Sequence, residues 1–368
     1  MRLNALVSEL KTQGKKIINL TAGELPFATP SFIRRAVAAR LAESHYTPTL
    51  GLRELRVSIS KFVSQVYKQI FTPLEIAVTA GAKQGLYELM QVLLNPGDEV
   101  IIPTPAWVTY EHQVRLAGGV PIFVPLTQHY DLNVAAIKRA LTKRTRIILV
   151  NSPHNPTGAV FSNTALKVLA QVVRLHPSVM VVADDTYQSL IYIRSCPSIL
   201  PLLPKSQVAV VASFSKSHAI TGWRIGYVVA EAQVVAALGR FQSHSSGNAA
   251  LPSQIAGVVA AKIPSPKQFL YELKARRAYT CKVLAKLSGV SFQVPAGAFY
   301  IFINVRKLGL SSEVFCNELL AKHGVALVPG EAFRVPGFVR LSFAVSQRDL
   351  AGGLARLFAF VSSLHPHV

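Results

Sequence analysis

From about residue 75 the chain alternates short, continuously apolar runs with helical stretches, and this rhythm narrows the possible folds more than any other feature. The runs are "EIAVTA", "DEVIIP", "VPIFVPL", "RIILVNSP", "VMVVADD", "QVAVVASF" and "IGYVVA". A strand with one wet face would alternate apolar and polar residues, so runs this short and this uniformly apolar predict strands covered on both faces. Stretches such as "GAKQGLYELMQVLL" and "NTALKVLAQVVRLH" lie between them and supply the covering helices. The expectation is an α/β fold with a mainly parallel central sheet.

After about residue 262 the rhythm changes. A long polar helix over "SPKQFLYELKARRAYTCKVLAKL" is followed by "SFQVPAGAFYIFINV", a helix over "SSEVFCNELLAKHG", "VALVPG", "FVRLSFAV" and a last helix capped at Ser346. This reads as a smaller α+β domain. The predicted division is a large domain over 30–262 and a small one from 1–29 and 263–368, with an amphipathic helix at the start packing on the latter. Ligands are expected in the crevice between the two.

With 368 residues, half of them hydrophobic and 15% charged, the chain can bury a sizeable core, and disorder is excluded. Lys and Arg number 39 against 18 acids, for a formal charge of +21. Such an excess raises nucleic acid or anionic lipid as partners. The longest basic cluster, "KRTR" at 143–146, precedes a buried-looking strand, and no basic tail or RNA-binding aromatic pattern is present, so neither partner is expected. Cys196, Cys281 and Cys316 are far apart and outside any Cys-x-x-Cys spacing, which predicts reduced thiols and no metal site. No apolar run reaches membrane-spanning length and the first residues do not read as a signal peptide, so a cytoplasmic protein is expected.

In open α/β sheets ligands sit beyond the carboxyl ends of the strands, so the residues ending each run carry the functional information. "IAVTA" runs into Gly81-Ala82-Lys83-Gln84, where a helix opens with free N–H groups suited to an anion. "RIILVNSP" runs into "HNPTG", presenting Asn155 either as an ordinary Asn-Pro turn or as a ligand. "VMVVA" ends in Asp184-Asp185 with Tyr187 behind, a helix cap or a partner for a buried cation. "SFSK" and "TGWRIGY" then place Lys216 between Ser213 and Ser217, next to Ser215, and Arg224 eight residues on, between two apolar runs. A lysine deprived of water becomes a carbonyl-reactive amine, and an arginine forks a phosphate. Each part has a bland reading; together with an acid at another strand end they are the parts of a pyridoxal phosphate site.

The chain resembles the fold-type I aminotransferases of class I/II, most closely their bacterial aspartate aminotransferase branch. The resemblance runs over nearly the whole length, through "AGELPF", "YTPTLGLRELR", "GAKQGL", "NPGDEVIIPTPAW", "NSPHNPTG", "ADDTY", "SFSK" with "TGWRIGY", "GAFY" and "VRLSFA". It implies that Lys216 carries the cofactor as a Schiff base and later moves the substrate proton. By the same resemblance Asp184 pairs with the ring nitrogen, Asn155 and Tyr187 bond the phenolic oxygen, and Trp107 stacks on the ring. Ser213, Ser215, Arg224 and the backbone at Ala82 and Lys83 are implied to hold the phosphate, with Tyr46 reaching it from the second subunit of a homodimer. Arg340, with Gly23 and Asn155, is implied to receive the substrate carboxylate.

Lys83 matches a lysine that, in some members of this branch, meets the distal carboxylate of a dicarboxylic substrate, and the chain's positive field favours a dianion. The expected reaction is transfer of the amino group of aspartate to 2-oxoglutarate by ping-pong kinetics. Aromatic or prephenate transamination and C–S β-elimination are the alternatives. Two departures touch the substrate side: Leu25 replaces the usual proline in "GELPF", and Asp185 stands where a glutamate is common.

Overall fold

The computed structural model describes residues 7, 9, 10 and 12–364. A two-residue strand, β1 (Ile18–Asn19), precedes the large sheet, whose strands in chain order are β2 (Ile76–Thr79), β3 (Glu99–Thr104), β4 (Val120–Pro125), β5 (Thr145–Asn151), β6 (Met180–Asp184), β7 (Val208–Ser213) and β8 (Gly226–Val229). Their order across the sheet is β2, β8, β7, β6, β5, β3, β4. β8 is antiparallel to both neighbours, and the remaining pairs are parallel. The fold is α/β with a mainly parallel sheet.

The uniformly apolar strands have a direct structural reason. Successive side chains point to opposite faces of a strand. Ile76, Val78, Ile148, Val150, Val181, Ala183, Val208 and Val210 belong to one apolar cluster, while Ala77, Ile147, Leu149, Val182, Ala209 and Val211 belong to another. Helices close each face, among them Arg53–Tyr67 and Leu251–Lys262 on the first and Ala82–Leu93 on the second. Both sides of the inner strands are therefore dry, while the edge strand β4 is partly exposed.

The rest of the chain builds a second core around four antiparallel strands, β9 (Ser291–Phe292), β10 (Tyr300–Asn304), β12 (Val328–Pro329) and β13 (Phe338–Ser342), while β11 (Val325–Ala326) pairs with β1. Helices Lys267–Leu284, Ser312–His323 and Gln347–Leu364 pack there, the last beginning beside Ser346, whose Oγ accepts from Asp349 N at 3.0 Å. Most of the helix expected at the start of the chain lies outside the described residues; Val7 packs with Leu320 and Ala326. The three cysteines are free, Cys316 buried and the other two half-buried. Among the described residues no helix is long and apolar enough to cross a membrane.

Candidate active site

The strand directions gather the chemistry at one edge. Because β2 to β7 all point the same way, Thr79, Thr104, Asn151, Asp184 and Ser213 end their strands together. β8 then returns antiparallel, pairing Ser213 with Gly226. That pair closes the segment 214–225 into a loop over the same edge, so Lys216 and Arg224, eight residues apart, come to one place.

A pocket of about 360 Å³ opens there. Its walls include Ala82, Lys83, Trp107, Asn155, Asp184, Tyr187, Ser213, Ser215, Lys216 and Arg224, and it is completed by Thr21, Gly23, Tyr300 and Arg340. Every site residue predicted from the sequence lines it except Tyr46, which is 99% exposed and stands outside it.

Lys216 follows β7 by three residues, and its ammonium donates to the Gly23 carbonyl. Burial pushes its pKa down to about 8, opposed by the negative charge of Glu24. A sizeable fraction is the free amine at neutral to mildly basic pH, the form that attacks a carbonyl.

Asp184 and Asp185 are adjacent yet meet different groups, because neighbouring residues of a strand face opposite sides. Asp184 lies on the Val182 face, where its Oδ2 accepts from Tyr110 Oη at 2.7 Å and its Oδ1 from Thr186 Oγ1 at 2.6 Å and Thr186 N at 3.1 Å. Burial raises its pKa, and the Thr186 and Tyr110 hydrogen bonds oppose that rise. Asp185 lies on the other face, accepts from Tyr67 Oη at 2.8 Å, and is pushed by burial to about 7.

The anion cradle forms where β2 meets the helix Ala82–Leu93. The first N–H groups of a helix have no acceptor within it and carry partial positive charge. Arg224 comes over them, donating to Thr221 O at 2.9 Å and Ala80 O at 3.4 Å. Ser213 Oγ lies 2.7 Å from Ser215 Oγ and 2.9 Å from Ile225 O, and when its single proton goes to Ser215 the second hydroxyl is left able to donate outward. Close approach is secured at Gly226, where a Cβ would stand 2.6 Å from Ala82 N. Gly222, on the other side of Arg224 in the sequence, is exposed, and a Cβ there would meet nothing within 4 Å.

On the opposite wall Arg340 is 8% exposed on β13. It donates to Asn155 Oδ1 at 2.9 Å and Thr21 O at 3.0 Å, while its buried Nε has no partner among the described residues. An unpaired buried donor on a guanidinium is costly and marks a place for an anionic ligand. Asn151 ties the wall together, donating to Asp184 O at 2.9 Å and accepting from Asn155 N at 2.9 Å. Lys83 sets its ammonium 4.9 Å from the centre of the Trp107 ring, and partial burial followed by the charge of Arg224 lowers its pKa.

Thr21, Tyr110, Asn151, Thr186 and Tyr300 also line the pocket and were not singled out from the sequence. Tyr110, three residues after Trp107 on the first turn of a helix, and Thr186, between Asp184 and Tyr187, carried a spacing signal. Thr21 and Tyr300 are brought in by the second core.

A lysine short of water and a buried carboxylate could receive an aldehyde-bearing ring, and the start of a helix with serines and an arginine beside it could receive a phosphate. The class defined by this fold and donor set is the pyridoxal phosphate enzymes of fold type I. Residues 15–357 match the family model of aminotransferase class I and II, and the chain belongs to that family. It is 37% identical to the probable aspartate/prephenate aminotransferase of Aquifex aeolicus, over 97% of this chain and 94% of that one. The crystal structure of the Thermotoga maritima aspartate aminotransferase matches with a TM-score of 0.94 at 36% identity, covering 98% of this chain and 96% of that one. The Thermus thermophilus aspartate aminotransferase with maleate matches with a TM-score of 0.94 at 35% identity, covering 98% and 95%. The protein is a pyridoxal phosphate-dependent aminotransferase.

Proposed function

We propose that the protein moves the amino group of L-aspartate to 2-oxoglutarate. The observation that carries this reading is one pocket walled by two separate cations, Arg340 and Lys83, which suits a substrate with two carboxylates. The names of the relatives and the maleate in one of them agree with it. Prephenate, with two carboxylates and an oxo group, is the second reading, favoured by the name of the Aquifex relative.

Bound pyridoxal phosphate supplies an aldehyde for amines and a ring that draws electrons from the carbon beside them. In this reading Ser213, Ser215, Arg224 and the Ala82 and Lys83 N–H groups hold its phosphate. Lys216 holds the aldehyde carbon, Asp184 keeps the ring nitrogen protonated, Asn155 and Tyr187 bond the ring oxygen, and Trp107 covers the ring face. Arg340 receives the substrate α-carboxylate beside Gly23 and Asn155, and Lys83 the distal one. With its amine free, Lys216 would be the base placed to take the proton from the substrate Cα. The reading further includes a cytoplasmic homodimer in which Tyr46 of each chain completes the other's site, and the division into residues 30–262 and the two flanking segments.

The protein is expected to turn yellow with pyridoxal phosphate, at a rate that rises with pH through about 8 as Lys216 loses its proton, and aspartate should bleach the colour. Lys216→Ala should stay colourless. Lys83→Ala should lower kcat/KM for aspartate by roughly tenfold or more, with little change for an amino acid lacking a distal carboxylate. A parent protein that never colours defeats the cofactor assignment, and an unchanged kcat/KM for aspartate defeats the substrate.

A further inference from the structure

Tyr300 touches both Tyr187 and Arg340, the one by its hydroxyl and the other by its ring. It is 1% exposed at the start of β10, which pairs with the strand that carries Arg340. Its hydroxyl lies 3.0 Å from Tyr187 Oη. Its ring lies 4.3 Å from the Arg340 guanidinium carbon, and Phe333 flanks the same guanidinium at 5.0 Å. A Cβ on Gly23 would come within 3.4 Å of the Tyr300 hydroxyl, so the phenol is also enclosed from the side of the lysine's carbonyl partner.

The two phenols share one short contact, and only one of them can donate in it. If Tyr187 spends its proton on a ligand, Tyr300 must donate to Tyr187. A donor into a hydroxyl oxygen polarises the O–H beyond it, so the second hydrogen bond of the chain is the stronger for the first. The Tyr300 ring acts differently: a face presented to a desolvated guanidinium attracts it and fixes its plane.

We propose that Tyr300 is a positioning residue with two separable parts, a hydroxyl that strengthens Tyr187 as a donor into the cofactor site and a ring that holds Arg340 in the attitude that receives a carboxylate. The inference rests on the roles given above to Tyr187, Lys216 and Arg340.

The test uses the pyridoxal phosphate-loaded protein and reads its visible colour against pH, which follows one proton on the nitrogen joining lysine to cofactor. A weaker donor leaves the ring oxygen more basic, so it holds that shared proton more tightly and the colour change moves to higher pH. Tyr300→Phe should raise the midpoint by about 0.3 to 1 pH unit, less than Tyr187→Phe does, and the double variant should shift no further than Tyr187→Phe alone, as expected of groups acting in series. Succinate, an inert dicarboxylate, should bind Tyr300→Phe within about twofold of the parent and Tyr300→Leu roughly tenfold more weakly. A Tyr300→Phe midpoint equal to the parent's, additive shifts in the double variant, or unchanged succinate binding by Tyr300→Leu overturns the inference while leaving the aminotransferase reading in place. Failure of the parent to colour overturns both.

Discussion

At the scale of single residues, the two adjacent aspartates show how burial is used and contained. Asp184 is buried but accepts from Tyr110 and Thr186, donors that favour the ionised form against desolvation. Asp185 has the Tyr67 hydroxyl and is pushed to about 7. Its folded pKa is raised above the unfolded value of 3.8, so its contribution to stability is fully present below that value and is lost as pH rises to about 7. Asp185→Asn keeps an acceptor for Tyr67 and cannot ionise. Urea unfolding should find the variant gaining on the parent between pH 5 and pH 8, by on the order of 1 to 3 kcal/mol; a difference independent of pH would show that Asp185 ionises freely in the fold. Asp184 could be singled out from sequence because a carboxylate ends a buried strand. Its pairing with Tyr110 could not be read there: the spacing from Trp107 hints at the tyrosine, but the two residues are 74 positions apart and meet only through the packing of the helix on the sheet.

At the scale of elements, the antiparallel return of β8 is what makes a site from one stretch of chain. If β8 ran parallel to β7, a crossover would carry its start to the far edge of the sheet and separate Arg224 from Lys216. The return is possible because Gly226 lies against the first turn of helix Ala82–Leu93, with room for no side chain: a Cβ would stand 2.6 Å from Ala82 N, 2.7 Å from Gly81 C and 2.9 Å from Ala212 O, all backbone. Gly226→Ala should therefore spread the cradle, destabilising the protein by about 1 to 3 kcal/mol and loosening its hold on pyridoxal phosphate in equilibrium dialysis. Gly222→Ala, with open space around it, should change stability by no more than about 0.5 kcal/mol. Equal effects at the two glycines would remove the argument. Both glycines look alike in the sequence, flanking Arg224 at similar distance, and only the packing of β8 on the helix tells them apart.

At the scale of the whole molecule, the site is built from two cores. The strand ends of the large sheet bring Asp184, Ser213 and the loop with Lys216, and the second core brings Arg340 and Tyr300 across the pocket. Tyr46 is fully exposed and outside that pocket, and the proposed homodimer assigns it to the partner's site. Light scattering should find about twice the 39.9 kDa chain mass, and Tyr46→Phe should release pyridoxal phosphate more readily than the parent. A monomer with full cofactor affinity would exclude the shared site. The sequence by itself determined the α/β class and singled out Lys216, Asp184, Arg224 and the helix start at Ala82, which line one pocket, because these depend on period and on residues close along the chain. Tertiary structure alone decided which face each aspartate meets, which glycine is indispensable to close packing, and that a phenol from the second core bridges Tyr187 and Arg340. Those contacts join residues far apart along the chain, 74 positions for Tyr110 and Asp184 and 113 for Tyr187 and Tyr300, and their distances are set by how strands and helices pack, which no local pattern encodes.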